Sequence, residues 1–193
     1  ALTDEDIDLL RSSNSHVIHC PRSNMKLASG ISPVDRLLKA GVNVALGTDG
    51  AASNNRLSML GELQMAALLA KLESLEATAL SAAAALEVAT LGGARALGLE
   101  ATVGSIEIGK AADLIALDLS QPHTQPLNNI VSQIVYASNG TELTHSWVAG
   151  QPLVRDGKPL TLAPAEISAR VARWPEKFKA HQASIDPTGN YLS

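Results

Sequence analysis

Apolar positions along this chain follow two rhythms, and the change between them falls near Leu99. Before it, short apolar runs alternate with stretches of helical spacing. Thr3, with Asp6 three positions on, has the form of a capping box, and Ile7, Leu9 and Leu10 supply the apolar positions of a short helix. His16 to Cys20 has strand length and stops at Pro21, which has no backbone donor. A polar loop then leads to Ser32, placed to cap a helix with Pro33 in its first turn, Val34, Leu37 and Leu38 as its buried stripe, and Gly41 as its stop. Val42 to Leu46 is the next apolar run. Strand, helix, strand with short connections is the order of a parallel βαβ unit.

Past Asp49, the polar stretch Ala51 to Asn55 leads into a helix with a broad apolar side made by Leu57, Leu60, Leu63, Met65, Ala67 and Leu68. A further helix is predicted from Leu75 to Ala89, its alanine density suited to close packing, and Thr90 to Leu97 is a further turn ending at Gly98. Beyond Leu99 the pattern shortens. Val103 to Lys110, Asp113 to Leu117, Ile130 to Tyr136 and His145 to Val148 read as short strands, and Ala149-Gly150-Gln151-Pro152 as a turn. From Pro164, Ile167, Val171 and Trp174 recur at helical spacing until Pro175 interrupts, and a mobile tail is expected from His181. No internal repeat or heptad pattern accompanies them.

Composition narrows the function classes. A length of 193 residues buries a sizeable core in one to two domains. A formal net charge of −4 supplies no basic footprint, so no nucleic-acid partner is expected. No apolar run approaches the roughly 20 residues of a membrane span, and the start carries no signal-peptide pattern. The lone Cys20 has no internal disulfide partner, which makes a cytoplasmic protein the expectation. The first residue is not Met.

Candidate chemistry sits in two loops, each directly after a predicted strand: His19-Cys20-Pro21-Arg22-Ser23-Asn24-Met25-Lys26-Leu27 and Gly47-Thr48-Asp49-Gly50-Ala51-Ala52-Ser53-Asn54-Asn55. In parallel α/β folds, ligands gather at the carboxyl ends of strands, which singles out Asp49. An Asp before Gly is also a common turn former, so the residue alone leaves both readings open. His19 suits either hydrogen bonding beneath a pocket floor or metal ligation. Cys20 beside a proline reads as a small buried apolar residue, with no activating base nearby in sequence. Asn24 and Ser53 are candidates for lining the pocket or for fixing their own loops, Asn24 leaning to the second. Arg22 and Lys26 fit solvated loop charges as well as contacts to substrate. Glu62 reads as structural, Gly109-Lys110 as a β turn without Walker spacing, Trp147 as a packing residue and Trp174 as a helix-face anchor.

Taken together, the run His-Cys-Pro-Arg-Ser-Asn-Met-Lys-Leu-Ala-Ser-Gly-Ile and the run Gly-Val-Asn-Val-Ala-Leu-Gly-Thr-Asp-Gly-Ala-Ala-Ser-Asn-Asn closely resemble the amidohydrolase superfamily. Within it, the chain is most similar to the 5-methylthioadenosine/S-adenosylhomocysteine deaminases of the triazine-hydrolase-related branch. The likeness runs from about Leu2 to about Lys158 and includes Gly109 to Leu114 and Trp147 to Gly150. It implies an α/β fold: the C-terminal part of a (β/α)8 TIM barrel, strands seven (His16 to Cys20) and eight (Val42 to Leu46), followed by part of a small β-sandwich. The domains implied are a barrel quarter over 1–98, a composite β-sandwich part over 99–160, and a C-terminal helix and tail over 161–193.

The resemblance further implies that Asp49 is the eighth-strand metal ligand, touches substrate, and moves a proton between metal-bound water and the departing amine. His19 would stand behind the ligands, with Ser53 and Asn24 at the substrate. The cofactor implied is one divalent metal, zinc first, with iron or manganese as alternatives. Such a metal lowers the pKa of bound water from about 15.7 toward about 7, giving a hydroxide able to attack C6 of adenine. The reaction implied is hydrolytic deamination of 5′-methylthioadenosine or S-adenosylhomocysteine to the inosine derivative and ammonia, with a small-molecule nucleoside as partner and a homo-oligomeric assembly. Loop residues Gly50, Ala51, Ala52 and Ser53 would let the backbone pass close to the nucleoside.

One departure is large. The family pattern calls for a His-x-His pair on strand one, histidines on strands five and six, and a substrate-binding glutamate. The five histidines here, His16, His19, His123, His145 and His181, contain no such pair. The expectation is therefore a C-terminal portion that joins an N-terminal remainder of the barrel, in the same or another chain, and is inactive alone. The alternatives are a non-catalytic structural portion or subunit, or a related aminohydrolase or chlorohydrolase with another heterocyclic substrate.

Overall fold

The computed structural model describes residues 2–185. These form two compact units, one reaching to Gly157 and the other beginning at Lys158. The first unit opens with α1 (Asp4–Ser12), capped as expected: Asp6 N–H donates to the Thr3 hydroxyl and Thr3 N–H donates back to the Asp6 carboxylate. Ile7 is its buried residue, and Leu9 stays exposed. Next come β1 (Val17–His19), α2 (Pro21–Lys26), α3 (Val34–Lys39) and β2 (Val44–Leu46). The segment expected as a polar loop after Cys20 is thus helical in its first half. Pro21 explains the difference, because at the first helical position its missing N–H costs nothing and its fixed φ already suits a helix. Ser32 does not cap α3 through its side chain; Pro33 occupies that position.

β1 and β2 pair in parallel, Val17 with Val44, Ile18 with Ala45 and His19 with Leu46. Among the described residues each has only the other as a strand neighbour. All three residues of β2 are buried, whereas Ile18 of β1 is 54% exposed, so the pair is covered unevenly. The covering helices are α3, α4 (Met59–Ser74), α5 (Ala82–Ala89) and α6 (Leu91–Ala96). Leu37, Val44, Leu63, Ala67, Ala85 and Val88 lie in the core they share. The helix expected from Leu75 begins only at Ala82, since Leu75 takes a left-handed φ of 57° that terminates α4 and Ser81 caps the next helix at Ala84 N–H. Thr90 to Leu97 is a helix rather than a turn, ending at Gly98 with φ +67°. Asp35 ties this layer together. It accepts from Leu80 N–H at 3.2 Å and from the Lys39 ammonium at 2.6 Å, and that ammonium holds its carboxyl below the usual range.

The second half departs further from the pattern-based reading. Ile130 to Tyr136, expected as a strand, is the helix α7 (Ile130–Tyr136). Asn129 caps it at Ser132 N–H, Val135 is fully buried, and Gln64 of α4 donates to Tyr136 C=O at 2.7 Å. Its β-branched residues favour strands locally, but packing on α4 and α5 decides the outcome. Val103 to Lys110 forms no strand either. Its glycines at 104 and 109 take φ of +93° and +96°, and no strand among the described residues offers it a ladder. Of the segment Asp113 to Leu117, Leu114 onward forms β3 (Leu114–Leu117), and His145 to Val148 lies in β4 (Leu143–Val148), with β5 (Gln151–Arg155) after the turn at Ala149-Gly150. These three neighbour one another in an antiparallel sheet in which no residue is fully buried. Trp147 is a packing residue here, stacked on His145 with ring centroids 5.4 Å apart.

In the second unit, β6 (Lys158–Pro159) precedes α8 (Pro164–Val171) and α9 (Trp174–Ile185). Pro175 does not end a helix. It sits in the first turn of α9, where no N–H is needed. The tail expected from His181 begins inside α9, and its part beyond Ile185 lies outside the described residues. Trp174 is half exposed, with the Lys177 ammonium over its ring.

The tightest joint in the first unit is Gly92 of α6, where an added Cβ would stand 2.3 Å from the Val44 carbonyl oxygen, an atom of the strand backbone that cannot yield. Gly92→Ala is expected to cost about 2–3 kcal/mol, as overpacking against a rigid neighbour does, while Gly93→Ala, which meets nothing, should be neutral or better in urea unfolding.

Candidate active site

The parallel pairing brings the two suspected loops to one end of the sheet. Gly47 N–H donates to His19 C=O at 2.9 Å, extending the ladder by one residue before the strands part into α2 and the Asp49 loop. Gly47 fits closely there, since a Cβ would stand 3.1 Å from both Cys20 Sγ and Ile18 Cγ2. Two residues on, Asp49 takes a left-handed φ of 57°, a region that Asp enters more readily than most residues. That turn leaves its carboxylate exposed.

Three donors fix the carboxylate. Ser53 and Ser23 hydroxyls donate to Oδ2 at 2.7 and 2.8 Å, and Gly50 N–H donates to Oδ1 at 2.7 Å. The Ser53 and Ser23 bonds, with Gly50 behind them, hold the carboxyl below its ordinary range, so Asp49 is an anion at neutral pH. Oδ1 retains an unused lone pair. Ser53 thus stands beside Asp49 as a donor to its carboxylate. The Asn24 side chain makes no hydrogen bond to this carboxylate and lines a surface groove with Leu2, Ser29 and Gly30.

His19 is 3% exposed, and its Nδ1 is buried without a hydrogen-bond partner among the described residues. Burial pushes its pKa down to about 4, so the ring is neutral. Cys20 is partly buried, and burial pushes its thiol up, which fits a packing role. Lys26 anchors the far side of the loop, donating to Ala52 C=O at 2.8 Å and to Asn55 Oδ1 at 2.7 Å.

The pattern-based reading missed Ser23 and Asn54 and set Glu62 aside as structural. Ser23 was recoverable, since Pro21 at a helix start places Ser23 in the first turn beside the strand end. Asn54 is buried and donates to Thr48 C=O and to Glu62 Oε1, both at 2.8 Å. Glu62, in the first turn of α4 and 0% exposed, also accepts from Arg22 N–H at 3.1 Å. Neither signal is local in sequence.

A zinc centre takes three or four protein ligands. Among the described residues no three His, Cys, Asp or Glu side chains come together, so these residues alone do not make a metal centre. Asp49 carries an exposed carboxylate at this end of the sheet, and the buried His19 lies on the adjacent strand.

With this geometry in view, the comparisons define the class: residues 1–153 match the amidohydrolase family, and the chain belongs to it. It is 53% identical over 176 residues to a 5-methylthioadenosine/S-adenosylhomocysteine deaminase of Teredinibacter turnerae, covering 91% of this chain and 40% of the relative. It is 49% identical to the enzyme of that description from Moorella thermoacetica, covering 89% and 40%. Among solved structures, an adenosine deaminase from Xanthomonas campestris with bound zinc superposes with a TM-score of 0.91 at 46% identity, covering 93% of this chain and 41% of that one. A zinc-bound atrazine chlorohydrolase from Arthrobacter aurescens gives 0.83 at 26% identity, covering 90% and 38%. The chain thus spans about two fifths of the length of the relatives it matches. No helix among the described residues is long and apolar enough to cross a membrane.

Two titrations test this arrangement. Replacing Ser53 and Ser23 with Ala should let the Asp49 carboxyl rise toward the ordinary aspartate value, read from its carboxyl carbon resonance across an acid pH series. For His19, the folded chain resists protonation until about pH 4, whereas an unfolded imidazole titrates near about 6.5. The unfolded state binds more protons in between. Stability should therefore be full above about pH 6.5 and fall as pH drops toward about 4, by at most about 3 kcal/mol from this residue. Urea unfolding of His19→Phe should show a shallower fall over that window.

Proposed function

We propose that this chain is the C-terminal portion of a metal-dependent aminohydrolase that converts adenosine derivatives, 5′-methylthioadenosine or S-adenosylhomocysteine among them, to inosine derivatives and ammonia. The observation that carries the reading is Asp49: an ionised, exposed carboxylate held by three donors at the shared end of two parallel strands. Family membership and the deaminases among its relatives supply the reaction class. On this reading β1 and β2 are strands seven and eight of a (β/α)8 barrel, and the antiparallel strands after residue 98 belong to a composite β-sandwich. The remaining strands, the histidine ligands and the substrate-binding glutamate come from an N-terminal portion.

A divalent ion, zinc foremost, supplies acidified water to this chemistry. The part of this chain is narrower. Asp49 would help hold that ion with its exposed carboxylate, while the donors on Oδ2 keep the carboxylate plane from turning. Being ionised, it accepts the proton released as water adds to C6, and it returns the proton to the departing amine, which would otherwise leave as an amide anion. Ser23 and Ser53 orient it, and neutral His19 packs beneath.

The test is a fusion of this chain to the N-terminal portion of the Teredinibacter turnerae relative. The fusion should bind zinc and show the ultraviolet change of adenosine becoming inosine, whereas the chain alone should do neither. Asp49→Asn in the fusion should lower kcat by at least about a hundredfold. A folded, zinc-loaded fusion without turnover would favour a purely structural portion. Undiminished turnover by Asp49→Asn would remove Asp49 from the proton path.

A further inference from the structure

Glu62 is a buried carboxylate on a helix, and its partners are a second helix and the Asp49 loop. Its two oxygens are divided between them. Oε2 accepts Arg22 N–H at 3.1 Å, at the start of α2, one residue before Ser23. Oε1 accepts Asn54 Nδ2 at 2.8 Å, and the same amide nitrogen donates to Thr48 C=O, one residue before Asp49. Arg56 N–H, at 3.1 Å, uses the remaining Asn54 oxygen. The Arg22 guanidinium approaches Oε1 at 3.5 Å, and the missing side chain of Gly61 leaves it room to lie along α4.

From this geometry we infer that Glu62 is a positioning residue for Asp49, a statement that rests on the function proposed for Asp49. Ser23 on α2 and Ser53 on the loop both donate to one oxygen of Asp49, so the carboxylate is held only while helix and loop keep their spacing. Glu62 bridges those two bodies from below. A neutral apolar residue would fill the space without joining them. A buried carboxylate is costly to desolvate, and here that cost is offset by two donors, the Arg22 N–H and one N–H of the Asn54 amide. Only an acceptor pair serves: in Glu62→Gln one oxygen remains for two donors, and an NH2 group faces the other.

The test uses amide hydrogen exchange in this chain, with turnover in the fusion described above. In Glu62→Gln, and in Glu62→Met, which fills the space without accepting from either donor, the amides of Gly50 and Ser53 should exchange about tenfold faster or more. Val17 and Val42 amides, bonded to Asn43 and Leu37 carbonyls in the core, should stay within about twofold. In the fusion, kcat should fall roughly ten- to a hundredfold with KM nearly unchanged. Equal acceleration at all four amides, or no acceleration in the loop, overturns the inference by making Glu62 a general stability residue or an idle one. An unchanged kcat in Glu62→Gln beside a crippled Asp49→Asn also overturns it. Selective loop exchange with Asp49→Asn fully active leaves the bridge standing and removes the function proposed for Asp49.

Discussion

Everything at this site depends on the parallel register of two three-residue strands. Because His19 faces Leu46 and Gly47 adds one more bond to the ladder, both chains leave the sheet at one level. A slip of one residue would exchange the buried His19 with the exposed Ile18 and move Asp49 away from Ser23 by a strand rise, about 3.3 Å. Parallel pairing also demands a crossover, and α2 and α3 supply it. The first of these brings Ser23 to the Asp49 carboxylate, so the connection that makes the pairing possible also supplies a donor that orients it.

Small residues make that register tolerable. Short strands carry little ladder energy, and the covering helices must come close to hold them. Ala66, Ala67, Ala70 and Ala85 are buried where those helices meet the sheet and one another, and Gly92 lets α6 rest on the backbone of β2. Alanine contributes little apolar area per residue but costs almost no side-chain entropy on burial, so close approach substitutes for bulk. The consequence is intolerance at Gly92, where an added methyl would meet the strand backbone rather than a side chain that can move.

Much of this was legible in the sequence where the cause was local. Thr3 and Asp6 announce a helix start because the capping box is made within four residues. Asp49 announces itself by standing between an apolar run and Gly50. What was illegible had non-local causes. Ile130 to Tyr136 has the composition of a strand and becomes a helix because Val135 finds a core on α4 and α5. Val103 to Lys110 has strand-like alternation, but alternation without a partner strand forms no ladder. Glu62 looks like one more charge on a surface helix, and only the fold shows Arg22, forty residues before it along the chain, converging on it together with Asn54. The resemblance to a family drew attention to the two loops, while the hydrogen bonds that organise them had to be seen.

The donors on Asp49 carry a consequence for the chemistry proposed. Each hydrogen bond that fixes a carboxylate also withdraws charge from it, making it a weaker base and a weaker ligand. Placing two of the three on Oδ2 confines most of that loss to one oxygen and leaves Oδ1 with a single backbone donor. Orientation and basicity are thereby assigned to different atoms of one side chain. Such an arrangement suits a group that must stay ionised, hold its direction, and still accept a proton briefly, and it suits a simple turn former poorly, since a turn needs only the bond to Gly50. Ser23, reaching across from α2, is the part that a turn alone does not explain.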